Sequence, residues 1–307
     1  MFRIALTGLG DIAQKAYLPL VCQHPQITPV LCSRNSAVLN RLTRQYRIDE
    51  VYDDFAAMLA SKPDAVMLHS STHSHFPLAE AVLNAGIALF IDKPVCDSLA
   101  QAEQLLDLAL TRDLPLVVGF NRRFAPLYQA PLQANIHALH CQKHRDQLSA
   151  APRQLIFDDF IHLIDLLVVA ANITDLTDLN IHSHFVRDQQ HLQRVRLQLT
   201  RPDCEFSAVM DRRAGASFER LEVFAQDQYW QIDNLRSSLH SQQGRLLPAG
   251  FGDWVPMLTQ RGFAAMLEDW LAELELGCAN AQRIQQYRLS HQLAELLTLE
   301  AEAHCGL

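Results

Sequence analysis

Along the first 120 residues, short apolar runs alternate with stretches whose apolar positions recur every three or four residues. Residues 2–7, 29–32, 51–52, 65–69, 87–91 and 116–119 read as strands, and 11–20, 37–46, 54–59, 76–85 and 98–110 as helices. Strand, crossover helix and strand in repetition predict a doubly wound α/β domain, a parallel sheet covered on both faces. After Phe120 the period changes. In HLQRVRLQLT, residues 191–200, Leu192, Val195, Leu197 and Leu199 are apolar, while Arg194, Arg196 and Gln198 are polar. Similar runs fall at 136–144, 179–187, 203–211, 218–226 and 228–234. One-sided alternation predicts an α+β domain on an open, mostly antiparallel sheet, closed by helices near 261–276 and 280–303. Two domains are expected, 1–120 and 121–307.

Composition narrows the partners. The 307 residues are 49% hydrophobic and 20% charged, ordinary globular values. A formal charge of -8 argues against nucleic acid or an anionic membrane surface as the main partner. No apolar run approaches the roughly 20 residues that span a bilayer, and MFRIALTGLG enters a strand directly, without a signal-peptide layout. Seven scattered cysteines without a C-x-x-C pair suit reduced thiols in the cytoplasm better than a disulfide or zinc framework. A small molecule is the expected partner.

Candidate chemistry begins at the first turn. Gly8, Gly10 and Ala13 give G-x-G-x-x-A between a strand and a helix. The first glycine permits a tight turn, the second lets a pyrophosphate reach the backbone, and the small third residue packs helix on strand. A Rossmann dinucleotide site is expected. The second strand ends in Cys32-Ser33-Arg34-Asn35, with no acid for a ribose 2′-hydroxyl and a cation suited to a 2′-phosphate. This favours NADP over NAD as cofactor. After the fourth strand, Ser70, Ser71 and Thr72 are placed to bind ribose or phosphate, or to cap the next helix. His69, His73 and His75 lack a carboxylate or thiolate to complete a metal shell, so no metal is expected.

Lys93 follows the fifth strand, at the carboxyl edge where open α/β sheets hold ligands, and Pro94 restricts its backbone. An ammonium there is placed to stabilise a developing alkoxide. In IFDDFIHLIDLLVVAAN, residues 156–172, an almost wholly apolar helix carries Asp158, His162 and Asp165 at i, i+4 and i+7. That spacing predicts one polar stripe, with Asp158 orienting an acid/base histidine and Asp165 either in the site or holding backbone. Further cations end other segments: Asn121-Arg122-Arg123, Lys143-His144-Arg145 and Arg212-Arg213. Their convergence would favour a carboxylated or phosphorylated substrate; otherwise they are separate solvated ends.

These motifs resemble the Gfo/Idh/MocA oxidoreductases over the full length. The carrying stretches are GLGDIAQKAYLP, SSTHSH, DKP, GFNRRFAPLY and DDFIHLID. KHR, RRAG and QRGF are similar to the MviM-like branch. The resemblance implies NAD(P)-dependent redox chemistry on a sugar, polyol or cyclic alcohol. It implies a second domain that binds substrate and forms a homodimer or larger homo-oligomer. Lys93 would take the role of the motif lysine, and His162, with Asp158, that of the acid/base. Asp11, Ile12, His75, Asp92 and Asn121 complete the candidate cofactor set, and Arg123, Lys143, Arg145, Asp165 and Arg213 the candidate substrate set. Asp92 replaces the family's glutamate, and Gln154 stands where many members have glycine. A nucleotide-bound sensor without turnover is the alternative, with reduction of an imine or linear tetrapyrrole a third; retention of Lys93 and His162 favours the enzyme.

Overall fold

The computed structural model describes residues 1–146 and 149–306. The chain divides into two compact units, Met1–Gly119 with Phe263–Ile284, and Phe120–Gly262 with Gln285–Leu307.

In the first unit, β1 (Phe2–Thr7) turns into a π-helical segment (Ala13–Tyr17) and α1 (Leu18–Val21). There follow β2 (Ile27–Cys32), α2 (Ser36–Tyr46), β3 (Glu50–Tyr52), α3 (Phe55–Ala60), β4 (Ala65–Leu68) and α4 (His75–Asn84). β5 (Ala88–Ile91), α5 (Leu99–Thr111) and β6 (Leu116–Val118) complete the sheet. Its order is β3-β2-β1-β4-β5-β6, every pair parallel. β4 and β5 are buried along their whole length, which explains their unbroken apolar runs. Helix starts follow local chemistry: the Asn35 side chain accepts from the Val38 amide, and Asp54 from the Ala57 amide. Because the strands are parallel, Gly8, Ser33, Ser70 and Lys93 all lie at one carboxyl edge.

The second unit begins with α6 (Pro126–Leu132) and β7 (Ile136–Asp146), then α7 (Pro152–Leu155), a π-helical turn (Ile156–Phe160) and α8 (Ile161–Ala170). Its remaining strands are β8 (Asn180–Asp188), β9 (His191–Arg201), β10 (Cys204–Asp211), β11 (Arg213–Ala225), β12 (Gln228–Asp233), β13 (Ser237–Gln242) and β14 (Arg245–Gly250). The sheet runs β14-β13-β12-β11-β7-β10-β9-β8, antiparallel except for β7 beside β10. The apolar α8 packs on β7 and β10. Leu139, Leu197, Leu199, Ala208, Leu221 and Val223 are fully buried, as the alternation requires.

The helices at the end are α9 (Met257–Gln260), α10 (Phe263–Leu276) and α11 (Ala281–Cys305). The contiguous second domain expected from sequence is corrected here, because α10 packs within the first unit. Its buried face carries Met266, Leu267, Trp270 and Leu271. Trp270 meets Phe90 edge-on at 5.3 Å, and Phe263 meets Tyr17 at 5.5 Å. Among the described residues no helix is long and apolar enough to cross a membrane.

Candidate active site

The turn after β1 is shaped by two glycines for different reasons. Gly8 has φ +77°, and a Cβ there would lie 2.2 Å from the Ser70 amide nitrogen, so its backbone can approach β4 only as glycine. A Cβ on Gly10 would meet nothing within 4 Å; that side of the turn is open. Ala13 is fully buried against the sheet. A cavity of about 550 Å³ lies beside the turn, walled by Gly8, Ser33, Arg34, Ser70 and Ser71 among others. Those expected residues are brought together. Asn35, Phe55 and His73 also line it. Sequence reasoning passed over Phe55, although an aromatic just beyond β3 on the same sheet edge was a usable signal.

Other expected cofactor residues do not wall this cavity. Asp11 is exposed and pairs with Lys15 at 2.8 Å, Ile12 is surface-exposed, and Thr72 begins a 3-10 turn. His75 is a correction. It is 1% exposed, with Nδ1 2.9 Å from the Pro94 carbonyl and Nε2 2.9 Å from the Ser70 carbonyl. Its ring ties the β4 loop to the β5 loop instead of facing a ligand. Asn121 is also buried, and its amide donates to the Arg261 carbonyl at 2.8 Å.

Lys93 lies two residues past the end of β5, half-buried, with a cis peptide bond to Pro94. The Asp92 carboxylate folds back on its own chain, accepting from the Lys93 amide at 2.9 Å and from the Tyr17 hydroxyl at 3.5 Å. Burial raises the Asp92 carboxyl above its ordinary value, with the Lys93 charge opposing. A Cβ on Gly119 would lie 2.8 Å from Asp92 Oδ1, so glycine leaves room for this acid. Beside it, His69 stacks on Tyr17 with ring centroids 4.1 Å apart. Burial, with the His75 charge adding to it, pulls His69 down to about 3, so its ring is neutral at physiological pH.

In the second unit the predicted Asp158, His162, Asp165 stripe runs from a π-helical turn into α8. Across the π-helical turn at Ile156–Phe160 the i, i+4 count of a regular α-helix does not apply. Asp158 is exposed, whereas His162 is 8% exposed and meets Phe120 edge-on at 6.2 Å. Asp165 is fully buried and takes both arms of Arg123, with Nε to Oδ2 at 3.0 Å and Nη2 to Oδ1. Arg123 Nη1 also donates to Gln286 at 2.7 Å. The substrate roles expected for Arg123 and Asp165 are therefore corrected: both ends of this pair are enclosed.

Asp159, which sequence reasoning passed over in favour of Asp158, gathers three cations. Lys143 donates to its Oδ1, Arg212 Nη2 lies 2.8 Å from Oδ2, and Arg145 Nε 3.7 Å from Oδ2. Burial alone would raise the Asp159 carboxyl, but Lys143, Arg212 and Arg145 hold it below its ordinary value. Lys143 is 3% exposed, so its expected direct contact with substrate becomes a structural contact with Asp159. Arg145 remains half-exposed and Arg213 exposed. Arg122, buried, and Glu219, half-buried, form a bidentate pair.

Comparison with known proteins agrees with both halves. The Gfo/Idh/MocA pattern, described as an oxidoreductase family with an NAD-binding Rossmann fold, matches residues 2–120, and a YceM-like C-terminal domain matches residues 126–243. YceM of Salmonella typhimurium is 32% identical over 97% of this chain and 98% of its own. UDP-N-acetylglucosamine 3-dehydrogenase of Acidithiobacillus ferrooxidans is 27% identical over 69% of this chain and 71% of its own. The crystal structure of a Gfo/Idh/MocA family oxidoreductase from Vibrio cholerae superposes with TM-score 0.93, 34% identity and full coverage of both chains.

Proposed function

Because the chain belongs to the Gfo/Idh/MocA oxidoreductase family, we propose that it is an NADP-dependent dehydrogenase moving hydride between the nicotinamide and a carbonyl or hydroxyl carbon of a sugar, polyol or related small molecule. The observation that carries this reading is Lys93, at the end of β5 on the carboxyl edge that also holds the dinucleotide-sized cavity. The open side of Gly10 and the cavity beside Gly8 fit a dinucleotide backbone. A relative named for oxidation of a nucleotide sugar supports the sugar class.

When bound, the nicotinamide supplies or accepts hydride. The amides of the Gly8–Gly10 turn and the following helix hold the pyrophosphate, and Ser70 and Ser71 hold ribose. Ser33 and Arg34 face the 2′-phosphate position, where no carboxylate lines the cavity among the described residues, and this favours NADP. During reduction the Lys93 ammonium stabilises the developing alkoxide. His162 gives the oxygen its proton, and in the reverse direction removes it from the hydroxyl, with Asp158 orienting the ring. The reading is of a cytoplasmic enzyme whose seven free cysteines stay reduced. It works as a homodimer through its open eight-stranded sheet.

Screening NADP⁺ reduction across sugars, sugar acids, polyols and sugar phosphates tests the activity. Turnover of one class supports the reading. Tight NADPH binding with silence across the panel overturns it in favour of a sensor.

A further inference from the structure

A second, smaller cavity of about 310 Å³ lies in the second unit, lined by Asp146, Ser149, Gln193, Arg212, Arg213 and Gly215. Arg212 hangs from the turn between β10 and β11, fixed by its own amide donating to the Gln193 carbonyl at 2.7 Å. Its guanidinium is enclosed, with the residue only 6% exposed. One nitrogen meets Asp159, but Nε has no hydrogen-bond partner among the described residues. A buried guanidinium with an unanswered N–H is costly unless an acceptor reaches it.

Charge points the same way. The Asp159 carboxylate is shared by Arg212, Arg145 and Lys143; burial, with the Arg122 charge adding to it, pulls Lys143 down to about 7, but the two arginines alone already outnumber the one acid. Arg122 does not contribute to that excess, because Glu219 neutralises it. Arg213 adds a further cation at the cavity wall, while Asp146, exposed, is the carboxylate among the lining residues. Ser149 and Gln193 offer neutral donors. In a chain of net charge -8, two adjacent arginines around one cavity with spare positive charge behind them are matched to an oxyanion. Asp159 lies between Asp158 and His162 on the same stretch of chain.

We propose that the Arg212–Arg213 cavity is an oxyanion subsite that holds a carboxylate or phosphate carried by the substrate. The substrate class is then an acidic sugar or a sugar phosphate rather than a neutral sugar. This rests on the hydride-transfer reading above, and the test separates the two.

The full-length chain is assayed for NADP⁺ reduction with D-glucose, D-glucuronate and D-glucose 6-phosphate, and with the equivalent trio for any other sugar it oxidises. Wild type, Arg212→Gln and Arg213→Gln are compared. In parallel, thermal unfolding is followed with inorganic phosphate and with D-glucuronate against sodium chloride at matched ionic strength. The subsite predicts a higher kcat/KM for the charged member than for its neutral congener. That preference falls about tenfold or more in Arg212→Gln and by a smaller factor in Arg213→Gln. Whether the uronate or the phosphate gains more identifies the group. Arg213 is exposed, so Arg213→Gln keeps the test valid if Arg212→Gln folds poorly. If no sugar is oxidised but phosphate or glucuronate still protects wild type and not the arginine variants, the subsite stands and the hydride-transfer reading falls. If charged and neutral congeners are oxidised alike and both variants preserve that ratio, the subsite is overturned and the hydride-transfer reading stands. Equal thermal protection by chloride and phosphate also overturns it.

Discussion

The imidazole of His75 lies 2.9 Å from the carbonyl oxygen of Pro94, the residue that follows Lys93. Its other nitrogen lies 2.9 Å from the Ser70 carbonyl, on the loop lining the dinucleotide cavity. One buried ring thus fixes the distance between the cofactor loop and the Lys93 loop. His75 is a positioning residue. His75→Ala is expected to lower kcat by about tenfold to a hundredfold, with NADPH affinity changing less, since small displacements of a reacting group are costly. His75→Gln keeps an amide donor and should recover part of the loss. Steady-state kinetics with an NADPH titration checks both; equal losses in kcat and cofactor affinity would indicate simple unfolding of the loops.

Arg34 lines the cavity where a 2′-phosphate would sit. Replacing it with alanine removes a charge-assisted contact that NADH never makes. NADPH binding should weaken about tenfold or more, while NADH binding stays within a small factor, as read by nicotinamide fluorescence. Wild type that binds NADH more tightly than NADPH would contradict the cofactor assignment.

Arg123 and Asp165 are both enclosed and bound to each other, with Gln286 as a further acceptor for Arg123. Removing one partner leaves an uncompensated buried charge. Asp165→Ala is therefore expected to cost about 3–5 kcal/mol of stability in urea unfolding. Arg123→Met with Asp165→Leu, which removes both charges, should recover most of it. A small effect of Asp165→Ala on stability with a large effect on KM would return Asp165 to the substrate set.

Burial would raise the Glu219 carboxyl, but Arg122, donating two hydrogen bonds, overrides this and holds it at about 2, against 4.5 ordinarily. A depressed folded pKa contributes stability that is present above pH 4.5 and lost as pH falls toward 2. Glu219→Gln should thus be destabilised by roughly 2–3 kcal/mol at pH 7, and the gap to wild type should narrow as pH falls from 4.5 to 2. Chemical unfolding across that range measures it. A gap independent of pH would mean that the pair contributes packing rather than charge.

The parallel sheet was readable because its strands are buried on both faces and its turns are punctuated by glycine, asparagine and aspartate. β13 and β14 were not, since SSLHSQ is mostly polar and RLLPAG mostly apolar, so neither alternates, and β14 is exposed throughout at the sheet edge. α6 was hidden by Pro126 and Pro131, although a proline is tolerated in the first turn of a helix. The candidate site divides in the same way. Gly8, Ser33, Arg34, Ser70 and Ser71 follow from strand order, so their convergence was legible. Asp159 was missed because i, i+4 spacing assumes an unbroken α-helix, and the π-helical turn at Ile156–Phe160 breaks that count. His75 was misassigned because sequence does not reveal which side of a loop a ring faces.

The proposed role of Lys93 and His162 is that of the reacting side chains of an NADP-dependent dehydrogenase. It is tested most directly by steady-state NADP⁺ reduction with wild type, Lys93→Ala and His162→Ala on the best substrate of the screen. Wild type should show measurable turnover, and each variant a kcat loss of roughly a hundredfold to ten-thousandfold, with NADPH affinity largely retained. Variants that turn over at the wild-type rate would contradict it.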